Sequence, residues 1–155
     1  MTGIQNFREI RRDGRVIPEG MSVEAIARLG STPVKIAALA WDSDAGGVEL
    51  KAKHGILSLV LPKRDGVAVI EKTEEAGFVG SLYVVNADGS KRLAVSNLQR
   101  INGSDESGQF RWLEKPRGAS PNSFGAVFEL DRDHSQFRLD IDVVSGATVG
   151  VYEMR

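Results

Sequence analysis

The chain has 155 residues, 41% of them hydrophobic and 26% charged, with a formal net charge of −1. That length suits a single domain, residues 1–155, built on one core, and the near-zero charge supplies no global field toward nucleic acid or an anionic membrane. Cysteine is absent, which excludes disulfide staples, thiolate chemistry and cysteine-ligated zinc.

Met1 to Arg15 holds four arginines and no apolar run, unlike a secretory signal. No stretch reaches the roughly 18 apolar residues of a membrane helix, so the expected location is the cytoplasm. Phe7 to Arg12 and Arg15 to Ile17 flank Asp13-Gly14, a hairpin signal because glycine tolerates the positive φ of a tight turn. One short helix follows. Ser22 is placed to cap it, Met21 to staple on Ile26, and Val23, Ile26, Ala27 and Leu29 to form an apolar side that leans on a sheet, with Gly30 as the stop.

After Pro33 the chain reads as strands. Val34 to Trp41 is apolar on both faces except at Lys35, Val48 to Lys53 alternates, and Ile56 to Leu61 is apolar at nearly every position. Asp65-Gly66 turns into Val67 to Ile70, and Lys72 to Gly77 is a charged connection. Phe78 to Val85 and Lys91 to Ser96 flank the turn Asn86-Ala87-Asp88-Gly89. Asn102 to Gly108 reads as a polar loop, Gln109 to Leu113 as a short strand, and Lys115 to Ser123, with Pro116, Gly118 and Pro121, as the least regular segment.

The clearest pattern is C-terminal. Ala126, Phe128 and Leu130, then Phe137, Leu139, Ile141 and Val143, alternate with polar neighbours, and Ser145-Gly146 turns the chain into Val149 and Val151. Phe124 to Met154 is therefore expected to be a three-stranded antiparallel meander. Nine or ten short strands with connections too short for parallel crossovers predict an all-β, mainly antiparallel fold. The expected form is a β-barrel or a two-layer β-sandwich with one short N-terminal helix and an aliphatic core. The segment Leu82 to Ser90, LYVVNADGS, resembles a blade strand and turn of TolB-like β-propellers over nine residues. A propeller needs several blades, so the resemblance implies a shared hairpin and no shared function.

Four groups of residues could carry chemistry. Asp133, His134, Asp140 and Asp142, with Asp131, could hold a divalent ion or run acid–base steps, against the plainer reading of a solvated sheet face and a polar turn. Asp42 to Gly46 begins like a calcium loop, but Lys53 stands where the terminal glutamate would be, so it reads as a turn. Arg8, Arg11, Arg12 and Arg15 could grip phosphates or an acidic partner. No aromatic platform is interleaved with them, which disfavours nucleic acid. Trp112, Lys115 and Arg117 adjoin the irregular loop and could contact a partner, although alternation with Phe110 turns Trp112 inward. No H-E-x-x-H, G-x-S-x-G or phosphate-binding loop occurs, and no cofactor or metal is expected.

The function expected from these features is a non-enzymatic cytoplasmic protein-binding module of the immunity or adaptor type, its basic N-terminal and acidic C-terminal segments steering a partner protein. The alternatives are a β-barrel holding a small molecule, disfavoured by Leu57, Leu59, Leu61, Val67 and Val69 filling the interior, and an enzyme using the C-terminal Asp/His group.

Overall fold

The structure is a computed structural model that describes residues 3–29, 35–73, 80–118 and 120–154. The expected stop at Gly30, the restart at Pro33 and most of the charged connection before Gly80 lie outside those residues. Among the described residues the chain is all-β, antiparallel throughout its pairings, with one short helix. Thirteen strands occur among the described residues, and they fall into three sheets.

The first sheet has the order β2-β1-β3-β4, from Gln5–Arg11 (β1), Val16–Pro18 (β2), Ile36–Ser43 (β3) and Gly46–Lys51 (β4). Asp13-Gly14 makes the β1–β2 turn, with Gly14 at φ 89° and the Gly14 N–H donating to the Arg11 carbonyl. The middle sheet is a plain meander of Ile56–Val60 (β5), Gly66–Lys72 (β6), Gly80–Asn86 (β7) and Lys91–Val95 (β8). The third runs β13-β12-β11-β10-β9, from Leu98–Ile101 (β9), Ser104–Glu114 (β10), Ser123–Leu130 (β11), Gln136–Asp142 (β12) and Thr148–Glu153 (β13). It curls into a half-barrel, and its two edge strands meet where the Thr148 hydroxyl donates to the Gln99 side chain at 2.6 Å.

The middle sheet is buried on both faces, and this divides the apolar side chains into two clusters instead of the one core expected. Val67, Val69 and Val85 pack with Phe7, Leu39 and Trp41 on the first sheet and with Ile4 just ahead of β1. Ala68, Ile70, Leu82 and Val84 pack with Phe110, Phe124, Phe128, Leu139 and Ile141 on the third. The physical reason is the run Val67-Ala68-Val69-Ile70, apolar at successive positions, which leaves β6 no face for water. Leu57 and Leu59 fill the half-barrel side of β5, so the interior of the curl is occupied by protein. The filling is more aromatic than expected: five phenylalanines and Trp41 are buried.

Two local readings differ from expectation. Asn102 to Gly108 is a hairpin, not a loop. Asn102 (φ 51°) and Gly103 (φ 84°) form its two-residue turn, and Ser104 to Ser107 pair with Leu98 to Ile101. The helix Val23–Ala27 is capped as expected, the Ala25 N–H donating to the Ser22 hydroxyl at 3.1 Å, but it buries none of its residues. Five residues are too few to carry an apolar side onto a sheet. Among the described residues no helix is long and apolar enough to cross a membrane.

Glu9 stands on the inner side of β1, where its carboxylate accepts from the Ser58 hydroxyl at 3.4 Å. Desolvation raises it above the ordinary carboxyl range, and that hydrogen bond only partly offsets the burial. A carboxyl that titrates higher when folded holds its proton to higher pH in the native state. Its stability cost is therefore absent at low pH, grows as pH rises through the two pKa values, and is complete above the native one. Glu9→Gln should match or exceed the parent in urea midpoint at pH 7, and the difference should vanish near pH 4. A variant less stable than the parent at pH 7 would contradict this.

Candidate functional site

The outer face of the third sheet is where side chains of the expected groups converge. Strand pairing aligns Trp112, Val127, Arg138 and Tyr152 in one row across β10 to β13, and Glu114, Gly125, Asp140 and Gly150 in the next. Trp112 reaches this face because of a β-bulge. The register slips between Phe110 and Trp112, so Phe110 stays inward opposite Phe128 while Trp112 faces out opposite Val127. The inward orientation expected of Trp112 from simple alternation is thereby overturned, and its side chain is 38% exposed.

The second row is low because two of its four members are glycines. A Cβ at Gly125 would lie 2.5 Å from the Arg138 guanidinium carbon, so only glycine lets Arg138 lie flat on the sheet. A Cβ at Gly150 would lie 3.0 Å from the Tyr152 ring, which leans over it in the same way. Arg138, at 14% exposure, donates to Glu114 at 2.7 Å, to Asp140 at 3.2 Å and to the Lys115 carbonyl at 2.7 Å. Glu114 in turn accepts from the Trp112 indole N–H at 3.1 Å. One guanidinium thus holds the carboxylate that orients the tryptophan, bridges two carboxylates and ties down the start of the irregular loop. Arg117, from that loop, lies over the Tyr152 ring at 4.3 Å. Val127, central in the first row, is fully buried beneath its neighbours.

The remaining expected residues lie elsewhere. Asp140 belongs to the Arg138 network, but Asp142 staples its own turn, accepting from the Val144 and Ser145 N–H groups. Asp133 does the same for Ser135. These hydrogen bonds hold both carboxyls below the usual range. His134 sits at φ 63° in the β11–β12 turn, 3.4 Å from Glu129, while Asp140 lies about 13 Å further along β12 from the start of that strand. The acidic group therefore does not gather, and among the described residues no three His, Asp or Glu side chains are placed to hold a metal ion. Burial pushes Glu129 up, but hydrogen bonds from Gln136 and the charge of Arg111 outweigh it and leave it lowered.

The four arginines are not one patch either. Arg11 is buried and paired with Asp13 at 2.8 Å. Arg8 donates to the Asn6 carbonyl, Arg12 to the Lys53 carbonyl, and Arg15 is exposed at the β1–β2 turn. None of them approaches the Trp112 face, because β1 belongs to the opposite outer sheet. Sequence reasoning missed Glu114, Arg138 and Tyr152. The signal was Gly125 and Gly150, isolated glycines inside strand patterns, which mark close approach.

Arg138→Met should cost about 2–3 kcal/mol of stability, because it leaves two half-buried carboxylates without their cation. In urea unfolding, Glu114→Gln on top of it should cost far less than it does alone, since the two share one network. A loss below about 0.5 kcal/mol would reduce the network to ordinary surface pairs.

An outer sheet face presenting Trp, Tyr and Arg over a hydrogen-bonded floor matches the composition of protein–protein hot spots, and it is not a cavity that would enclose a small molecule. No protein-family model matches the chain, and no curated protein matches it by sequence. Among solved structures it is similar to a chain in the structure of Tne2 in complex with Tni2. The TM-score is 0.92 and the identity 32%, over 98% of this chain and 99% of that one.

Proposed function

The chain belongs to the family of the protein it matches in the complex of Tne2 with Tni2, and from that premise we propose that it is a non-enzymatic module that binds another protein, of the immunity or adaptor type. The observation that carries this reading is that its relative occurs in a protein–protein complex, with 98% of this chain aligned to 99% of that one. The outer face of β10–β13 supports it from the side of geometry. Trp112 and Tyr152 are the exposed aromatic anchors, Arg117 and Arg138 supply fixed cations, and Lys115 stands at the rim. Glu114 and Asp140 share the single cation of Arg138, so the network keeps one net negative charge that a basic group of a partner would complement. The site of action in this reading is the cytoplasm.

The test is purification of the tagged chain from its native host at physiological salt. One protein should accompany it in stoichiometric amount and remain bound through size-exclusion chromatography. Recovery of the chain alone would refute the reading.

A further inference from the structure

Two adjoining clefts, of about 610 and 270 Å³, meet at Glu19, Leu59, Val60 and Lys115. They follow β5, an edge strand of the middle sheet. The ladder phase on β5 is set at both ends: the Lys72 N–H donates to the Gly55 carbonyl, and the Leu61 N–H donates to the Gly66 carbonyl. Leu57 and Leu59 therefore make the bonds to β6, and the N–H and C=O groups of Ser58 and Val60 point the other way. Among the described residues these outward groups meet no backbone partner. The two outer layers reach past this edge. Phe7, Glu9 and Ile17 wall one side, and Lys115, Pro116 and Pro121 wall the other. The middle layer is one strand short here, and the gap is a slot.

Charge narrows what fits. Glu19 is already clamped by both terminal nitrogens of Arg64 at 2.8 Å. Glu9 has only the Ser58 hydroxyl, and among the described residues no cation pairs with it. We propose that the slot takes an extended segment of a partner protein as a fifth strand of the middle sheet, with a basic side chain of that segment turned toward Glu9. Strands pair about 4.8 Å apart and layers stack about 10 Å apart, so a single strand bounded by two sheets has the dimensions required. Backbone pairing would supply affinity and alternate side chains specificity. This rests on the reading of the chain as a protein binder, but its surface is the edge of β5, which adjoins the Trp112 face at Lys115.

The test pans a phage-displayed library of random octapeptides against the parent chain and, in parallel, against Val60→Pro. That substitution removes an outward N–H and leaves the β6 ladder intact, a position where an edge strand tolerates proline. Ser58→Pro serves if Val60→Pro fails to fold, and amide exchange of the parent with each selected peptide needs no variant. Peptides enriched on the parent should carry Arg or Lys, bind Val60→Pro at least tenfold more weakly, lose the basic preference on Glu9→Gln, and protect the Ser58 and Val60 amides from exchange. No enrichment over the variant, or enriched peptides that leave those amides unprotected, would overturn the proposal. Concentration-dependent protection in the chain alone, with dimers in sedimentation, would overturn it in favour of a second copy. If peptides fill the slot but no protein co-purifies, the functional reading falls alone. If a co-purified protein binds Val60→Pro unchanged, the slot falls alone.

Discussion

A Trp41→Ala variant should lose about 3–5 kcal/mol of unfolding free energy. Trp41 is fully buried, its ring stacked on Phe7 with centroids 6.0 Å apart, in the cluster that joins the first sheet to Val67, Val69 and Val85 of the middle one. Its indole N–H donates to the Ala87 carbonyl at 2.7 Å, a bond from the first sheet to the β7–β8 turn. Truncation removes the largest side chain of that cluster and leaves the carbonyl without its donor, so cavity and hydrogen-bond costs add. The loss is a large part of the roughly 5–15 kcal/mol available to a domain. Urea unfolding would show it as a lower midpoint, and heating as a fall of about 6–20 °C. The first sheet should loosen first: amides of Ile36–Ser43 should exchange faster while those of β11 and β12 change little. A loss under about 1 kcal/mol would mean that the first sheet is held by something other than this cluster.

Trp112→Ala should weaken binding of the co-purified partner by about 30-fold or more, close to 2 kcal/mol, with little change in stability. Trp112 is held by Glu114 and presented outward by the bulge, so its ring is ordered before any partner arrives. Truncation removes an anchor and exposes Val127 behind it. Titration calorimetry on parent and variant measures the change. The chain contains two tryptophans, and Trp41 is sealed inside, so a shift in emission on complex formation would report Trp112. A change in affinity below threefold would move the binding surface away from β10–β13.

Much of the fold was legible because short-range rules govern it. Asp13-Gly14, Asn86 to Gly89 and Ser145-Gly146 mark real turns, and the alternation of Phe137, Leu139 and Ile141 with Arg138 and Asp140 gave the buried face of β12 correctly. Asn102-Gly103 was equally legible but was outweighed by the Ser/Asp/Glu composition after it, which belongs to an exposed strand end and not to a loop. The candidate site was less legible. Trp112, Lys115 and Arg117 stand out in the sequence, but an alternation count carries no information about an inserted residue and so points Trp112 inward, where the bulge turns it out. Asp133, His134 and Asp140 are close in sequence yet separated by the length of a strand, which extends the chain where a helix would have folded it back.

By itself, the order of residues determined the class of structure: antiparallel ribbons, their corners, and which side of most of them avoids water. Those properties depend on neighbours two to four positions apart. Only the tertiary structure decided that the ribbons stack three deep, that Arg138 spans Gly125 to serve Glu114 and Asp140, and that the edge of β5 is left open between two overhanging layers. These depend on contacts between residues tens of positions apart, whose geometry is set by how whole sheets pack, and no local period encodes that.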